Sequence, residues 1–278
     1  MVEVGEVCLA VARAGEGGGR LLLVHGFTGV KEDFADWIGP LAAAGLDVAA
    51  PDQRGHGASD KPTDEDAYDL DVFAADLVGL ADELGWDRFS LLGHSMGGMI
   101  AQHVALSWPE RLDRLILMDT THGPIDGLDR DVVAATAAHA RDQGMDAVAD
   151  LMAEVESPLD SLPHQRVLAE RPGYAEFAEY KLRTSSPAMF AAMLEVMADQ
   201  PDRLGGLADL DHSTLVVVGE HDAALVEPSR RLAEAIPGAE LVTIPDAGHS
   251  PQFEAPEAWI AAIASFLGVD VAAPQPAW

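Results

Sequence analysis

Short apolar runs that end near glycine or proline recur along the chain, and segments with helical spacing separate them. Each run is continuous instead of alternating with polar residues, which is typical of a strand buried on both faces of a parallel sheet. The runs lie at 20–26, 46–51, 88–94, 112–119, 213–219 and 239–244. By contrast, residues 2–14 alternate apolar and polar side chains and predict a half-buried antiparallel strand pair.

Helical patterns fill the intervals between these runs. Residues 71–84 carry their apolar side chains at helical spacing, and Gly85 is placed to close that helix. Strands alternating with helices predict a mostly parallel, doubly wound α/β sheet with helices on both faces. From 122 to 205 no strand-like run occurs, only amphipathic segments. We therefore expect a core of residues 1–121 and 206–278, interrupted by a helical insertion of residues 122–205.

Composition limits both the kind of protein this is and the binding partners to be expected. The chain of 278 residues is long enough for one large α/β core, and Cys8, its single cysteine, excludes an internal disulfide. A net charge of −30 repels phosphate backbones and anionic lipid, so neither nucleic acid nor membrane is an expected partner. No apolar run approaches the roughly 20 residues of a membrane span. We expect a cytoplasmic protein, as a monomer or a homodimer.

One serine stands between glycines where a predicted strand gives way to a predicted helix. Gly93, Ser95 and Gly97 fit the pattern G-x-S-x-G in the strand–turn–helix context that this pattern requires. The turn is so sharp that side chains on either side would collide, and it lifts the serine hydroxyl to the carboxyl edge of the sheet. Ser95 is therefore the candidate nucleophile.

A serine nucleophile needs a base and an acid that orients the base. His249 follows the last predicted strand, at the same edge of the sheet as Ser95, and is the candidate base. Asp222 follows the preceding strand and is the preferred acid, because a turn through Gly219 comes before it. Asp119, after the strand at 112–119, is the alternative acid.

Attack on a carbonyl also requires hydrogen-bond donors for the oxygen that becomes negative. The backbone amide of Phe27, after Gly26, and the amide of Met96, next to the serine, are the candidate oxyanion donors. His25 is interpreted as a brace for this loop, and the turn with Arg54 and His56 is interpreted in the same way.

Five motifs together resemble the α/β-hydrolase superfamily, in particular its bacterial esterase, lactonase and carbon–carbon hydrolase branch. They are HGFTG, DQRGHGAS, GHSMGG, GEHD and AGHSPQFEAPE, in that order along the chain. The resemblance implies that residues 122–205 form a cap, or lid, over the active site. No metal-ligand spacing or phosphate-binding glycine motif occurs in the sequence, so neither a metal nor another cofactor is expected. Relatives that open epoxides or cleave carbon–halogen bonds use an aspartate nucleophile, where this chain has Ser95.

The expected activity is hydrolysis of a small to medium, largely apolar and uncharged ester through an acyl-enzyme. A lactonase or a carbon–carbon bond hydrolase would use the same triad, and a slow-turnover binding protein on this fold is a further alternative. Methionine and aromatic side chains of the predicted cap are interpreted mainly as core residues, with an adaptable apolar pocket as the other possibility. They are Met145, Met152, Tyr174, Phe177, Tyr180, Met189, Phe190, Met193 and Met197.

Overall fold

The computed structural model describes residues 1–125, 127, 129–154 and 160–272. The strands in this part of the chain are β1 (Val2–Val4), β2 (Val7–Leu9), β3 (Val11–Ala14), β4 (Gly19–Val24), β5 (Leu46–Pro51), β6 (Phe89–His94), β7 (Leu112–Met118), β8 (Ser213–Gly219) and β9 (Glu240–Ile244). Each continuous apolar run of the sequence thus contains a strand, as predicted.

The helices alternate with these strands and then form a long uninterrupted series. They are α1 (Ala35–Ala43), α2 (Leu70–Glu83), α3 (Met96–Ser107), α4 (Arg130–Ala153), α5 (Leu162–Glu170), α6 (Tyr174–Arg183), α7 (Pro187–Asp199), α8 (Leu204–Leu207), α9 (Val226–Ala235), α10 (Pro251–Glu254) and α11 (Pro256–Leu267). The predicted end of α2 is confirmed, since Gly85 takes a φ of +72° just after it.

The central sheet has seven strands in the order β3-β5-β4-β6-β7-β8-β9. All neighbouring pairs from β5 to β9 are parallel, and β3 pairs antiparallel with β5 at one edge. This is the mostly parallel, doubly wound sheet of the α/β-hydrolase fold that the sequence predicts. Because β5 lies on one side of β4 and β6 on the other, the order reverses beside β4. Ligands of open α/β sheets bind at the carboxyl end of such a switch point.

The N-terminal segment differs in detail from the predicted strand pair. It divides into a two-stranded hairpin, β1 with β2, and the separate edge strand β3. Gly5 supplies the positive φ of the hairpin turn, at +57°. The alternating pattern indicated antiparallel strands correctly but could not show where one sheet stops and the next begins.

Two hydrophobic cores lie on the two faces of the sheet. Along β4, Leu22 and Val24 point into one core and Leu21 and Leu23 into the other, as the two-residue period of a strand requires. The first core contains α2, α3 and α9, and the second contains α1 and α11. Burial on both faces explains why the strands read as continuous apolar runs.

Helices α4 to α7 (130–199), here called the helical segment, are inserted between β7 and β8. The two ends of this insertion lie next to each other at the core, since the N–H of Arg203 donates to the carbonyl of His122 at 2.9 Å. Of the predicted insertion 122–205, residues 126, 128 and 155–159 lie outside the described part of the chain. Most of its methionines are core residues, whereas Met152 and Tyr180 are about half exposed. Where the chain is described, every helix is too short or too polar to cross a bilayer.

Candidate active site

Ser95 lies on a strained turn between β6 and α3. Its backbone has a φ of +55° and a ψ of −118°, outside the regions that non-glycine residues ordinarily occupy. The turn is held by hydrogen bonds from its own N–H to the carbonyl of Met118, at 2.9 Å, and from the Thr120 hydroxyl to its carbonyl, at 2.7 Å. The side chain is half-buried at the carboxyl edge of the sheet.

Glycines make this turn possible because three stretches of backbone meet around it. A Cβ on Gly93 would lie 2.2 Å from the carbonyl oxygen of Gly97. A Cβ on Gly97 would lie 2.5 Å from the carbonyl oxygen of Val24, at the end of β4. Both distances are far shorter than van der Waals contact. The motif therefore fixes how closely α3 approaches the sheet as well as the conformation of Ser95.

The loop after β4 approaches the serine from the other side. A Cβ on Gly26 would meet the Cβ of Ser95 at 2.9 Å. Within the described residues, no protein acceptor takes a hydrogen bond from the N–H of Phe27 or from the N–H of Met96. These two amides belong to the residue after the serine and to the loop beside it, and both are free to donate to a bound group.

His249 and Asp222 form a direct pair. His249 Nδ1 lies 2.6 Å from Asp222 Oδ2, with side chains about 13% and 3% exposed respectively. Their loops follow β9 and β8, and pack so tightly that a Cβ on Gly219 would lie 2.0 Å from the carbonyl oxygen of Gly248. Across the described residues, the hydrogen bonds include this pair but none from Ser95 Oγ to His249. Such contacts often tighten only when substrate binds.

Among the described residues, Asp222 and not Asp119 is hydrogen-bonded to His249. Asp119 is fully buried after β7 with a φ of +44°, and its Oδ1 accepts the N–H of Gly219 at 2.8 Å. Burial, followed by the charge of Asp222, raises the pKa of Asp119 well above its usual range. Asp222, the preferred acid, is therefore hydrogen-bonded to His249, whereas Asp119, the alternative acid, is hydrogen-bonded to the amide of Gly219.

His94 is a site residue that the sequence analysis did not single out. Its Nε2–H donates to the carbonyl of His249 at 2.6 Å, and the two rings lie 5.0 Å apart. Its Nδ1 is buried and has no hydrogen-bond partner within the described part of the chain, which suits an unprotonated nitrogen. Burial lowers the pKa of His94 to about 3, so the ring stays neutral and keeps its proton on Nε2. In the sequence, the one sign of this role was a polar side chain at the end of an apolar run.

Glu254 is a second residue that the sequence analysis missed. It is buried on α10, and its Oε2 accepts the N–H of Gly248, directly before His249. Burial raises the pKa of Glu254 above its usual range. Arg166, from the helical segment, donates to the carbonyl of Glu254 at 3.0 Å. The loop that carries His249 is therefore held by two hydrogen bonds, one from His94 to the carbonyl of His249 and one from the amide of Gly248 to Glu254.

The residues interpreted as braces take structural positions. His25 Nε2 accepts the N–H of Gln53 at 3.1 Å, and its Nδ1–H donates to the carbonyl of Gly26 at 2.8 Å. The His56 ring packs edge-on against His25 at 4.9 Å, and Arg54 pairs with both oxygens of Asp76. These contacts fix the loop that carries Phe27.

The helical segment covers this region with aromatic rings and paired charges. Phe190 stacks on Phe27 with ring centres 4.9 Å apart. Lys181 Nζ lies 2.6 Å from Asp33 Oδ1, and Arg171 Nη1 lies 2.8 Å from Asp36 Oδ2. All four charged side chains are largely buried. The cations that the helical segment brings towards the core are therefore matched by core carboxylates. Among the described residues, no cluster of potential metal ligands occurs.

Comparison with known proteins agrees with this fold. The sequence model of the alpha/beta hydrolase fold matches residues 19–256. Two curated relatives match only about two fifths of the chain: the AB hydrolase superfamily protein YfhM of Bacillus subtilis, 38% identical over 122 residues, and Epoxide hydrolase A of Mycobacterium tuberculosis, 39% identical over 113. These matches span 43% and 35% of the two relatives' own lengths.

Other relatives match over nearly the whole chain. The 2-hydroxymuconate semialdehyde hydrolase of a Pseudomonas species is 30% identical over 262 residues, which cover 89% of this chain and 86% of that protein. Among solved structures, a thermophilic esterase from Thermogutta terrifontis has a TM-score of 0.83 at 31% identity, covering 96% of this chain and 97% of its own. The enol-lactonase of Burkholderia xenovorans has a TM-score of 0.83 at 25% identity, covering 95% and 98%.

The glycine geometry predicts opposite effects for two alanine substitutions. Gly97→Ala places a methyl group 2.5 Å from backbone oxygen and is expected to lower the free energy of unfolding by about 3 kcal/mol. Gly205→Ala, at an exposed position of α8 where the added Cβ meets no other described part of the chain within 4 Å, is expected to raise it by about 0.5–1 kcal/mol. Urea unfolding measures both, and equal effects would contradict the close approach of α3.

Neutral His94 predicts an acid-dependent loss of stability. Its folded pKa of about 3 lies below the unfolded value of 6.5, so the unfolded chain binds the proton more readily between these values. Relative to His94→Gln, which keeps an N–H donor, the wild type should lose about 1 kcal/mol per pH unit from pH 6 to 4.

Unfolding curves measured in parallel at each pH test this prediction, with His139→Gln on α4 as the control for losing one histidine elsewhere. A difference between wild type and His94→Gln that is independent of pH would contradict a buried neutral ring.

Proposed function

Because this chain belongs to the alpha/beta hydrolase fold family, we propose that it is a serine hydrolase that cleaves carboxylic esters through an acyl-enzyme. The observation that carries the proposal is the convergence at one sheet edge of Ser95, the His249–Asp222 pair and two unpaired amides. Each part has a defined role in acyl transfer.

The reaction follows from the positions of these groups. Ser95 Oγ attacks the ester carbonyl carbon while His249 Nε2 takes its proton, and Asp222 stabilises the imidazolium through Nδ1–H. The amides of Phe27 and Met96 bind the oxyanion. When the intermediate collapses, the alcohol leaves with the proton from His249.

Deacylation repeats these steps with water in place of the serine. Water gives a proton to His249 and attacks the acyl carbon, and the collapse of the second intermediate releases the acid and restores Ser95. Asp222 and the two amides act as before, so one set of groups serves both halves of the reaction.

The surroundings favour an uncharged, largely apolar substrate of small to medium size. Phe27, whose amide is a proposed oxyanion donor, stacks its ring on Phe190 of the helical segment. Lys181 and Arg171, which would attract an anion, are each paired with a buried carboxylate. We infer that the helical segment acts as the cap that excludes water from the acyl-enzyme.

Lactone hydrolysis and carbon–carbon bond hydrolysis are the second candidates. The enol-lactonase and the 2-hydroxymuconate semialdehyde hydrolase both match nearly the whole chain. The same serine, histidine and amides would serve those reactions. Epoxide opening is disfavoured because the residue at position 95 is a serine.

The proposal predicts that p-nitrophenyl esters of short to medium acyl length are hydrolysed. Ser95→Ala removes the attacking oxygen and should lower kcat/KM by about 10³-fold or more. Ser107→Ala, an exposed serine at the end of the same helix, is the matched control and should retain full activity. Release of p-nitrophenol is the measurement.

Two results would contradict ester hydrolysis at this site. One is retained activity in the Ser95→Ala variant. The other is the absence of ester turnover in the wild type. If, in the second case, lactones or vinylogous diketones are cleaved, one of the second candidates is correct. If none is cleaved, a slow-turnover binding protein becomes the better account.

A further inference from the structure

Asp119 is a buried carboxyl group that the proposed reaction leaves without a role. It is fully inaccessible to solvent, and it follows β7 at the sheet edge where the site lies. Its N–H donates to the carbonyl of Val217 at 2.9 Å, and its Oδ1 accepts the N–H of Gly219 at 2.8 Å. The side chain thus supplies the acceptor for the next amide of β8, which fixes the orientation of the carboxyl group.

That orientation leaves Oδ2 of Asp119 buried with no conventional hydrogen-bond partner among the described residues. Asp222, whose N–H donates to the carbonyl of the same Gly219, brings its side chain within hydrogen-bonding reach of the Asp119 carboxyl group. Two ionised carboxylates offer only acceptors, so no hydrogen bond forms between them until one is protonated. A buried carboxyl oxygen beside another carboxylate therefore calls for a proton.

The carboxylate of Asp222 can accept more hydrogen bonds than the described residues donate to it. The backbone N–H of Asp222 is used by the carbonyl of Gly219, at 3.1 Å. For its carboxylate, the described residues supply one conventional donor, Nδ1–H of His249. A carboxylate that orients a histidine needs its own orientation fixed by a further donor. Oδ2–H of Asp119 would be that donor.

We propose that Asp119 is a positioning residue, which stays a neutral carboxylic acid in the folded protein and donates its Oδ2–H hydrogen bond to the carboxylate of Asp222. The ionisable groups that face Asp119 are the carboxylates of Asp222 and of Glu254. Both disfavour a second negative charge there. The effect on turnover rests on the proposed function, whereas the protonation state of Asp119 does not.

The first test is the rescue of ester turnover by the conservative variant. Asp119→Ala removes the donor and should lower kcat about 10- to 100-fold with KM within about threefold of wild type. Asp119→Asn keeps an acceptor for Gly219 and an N–H donor for Asp222, and asparagine tolerates the positive φ. It should restore most of that loss. A variant Asp119→Asn as slow as Asp119→Ala would overturn the proposal.

The second test does not require activity. A carboxyl group whose folded pKa is raised stays protonated while the unfolded chain ionises above about pH 4, so its contribution to stability falls as pH rises. The midpoint of urea unfolding of Asp119→Asn should therefore rise relative to wild type between pH 4 and 7.

Asp47→Asn is the control of opposite sign. The hydrogen bonds from Arg13 hold the pKa of Asp47 below its usual range, so this variant should fall relative to wild type as pH rises towards about 4 and should stay nearly level from there to pH 7. A difference between Asp119→Asn and wild type that stays flat with pH would overturn the proposal, even if no ester is a substrate. Ester turnover that Ser95→Ala leaves intact would instead overturn the proposed function.

Discussion

The backbone conformation of Ser95 is the constraint on which the rest of the site depends. A φ of +55° in a residue with a Cβ is unfavourable by about 1–3 kcal/mol and persists only when the surroundings hold it. Here β4, β7 and α3 all contact the turn, through gaps that admit no Cβ at Gly93 or Gly97. The packing of the sheet therefore fixes the direction of one hydroxyl group.

A second constraint is the protonation state of the buried ionisable groups next to the His249–Asp222 pair. His94 is held neutral by burial, and its remaining proton is aimed at the backbone of His249. Glu254 secures the adjacent amide of Gly248. In our account Asp119 is neutral as well, so the buried carboxylate at Asp222 is oriented by neutral donors and does not face a second negative charge. Asp222 thereby holds the ring of His249, and His94 holds its backbone carbonyl.

Much of this arrangement is predictable from the sequence, because it depends on local patterns. Continuous apolar runs place the strands, and glycine spacing around Ser95 predicts the turn. Chain order along parallel strands brings Asp222 and His249 to the same edge. The last inference needs only the rule that the carboxyl ends of parallel strands meet at one edge.

What the sequence could not provide depends on contacts between distant residues. The roles of His94 and Glu254 arise from a carbonyl and an amide of the loop around His249, and no pattern along the chain marks backbone acceptors. The choice between Asp222 and Asp119 depends on angstrom-scale placement after two neighbouring strands. The ion pairs of Lys181 and Arg171 join segments roughly 140 residues apart, and only the folded structure relates them.

The central claim is that Ser95 is activated by the His249–Asp222 pair, and covalent trapping tests it most directly. A fluorophosphonate reacts with an activated serine, whose oxygen bonds to phosphorus as fluoride leaves, and peptide mapping by mass spectrometry then locates the adduct. The account predicts a stoichiometric adduct on Ser95 that forms far more slowly when Asp222 is replaced by asparagine. An unlabelled protein, an adduct on another serine, or labelling of Ser95 at an unchanged rate in that variant would contradict it.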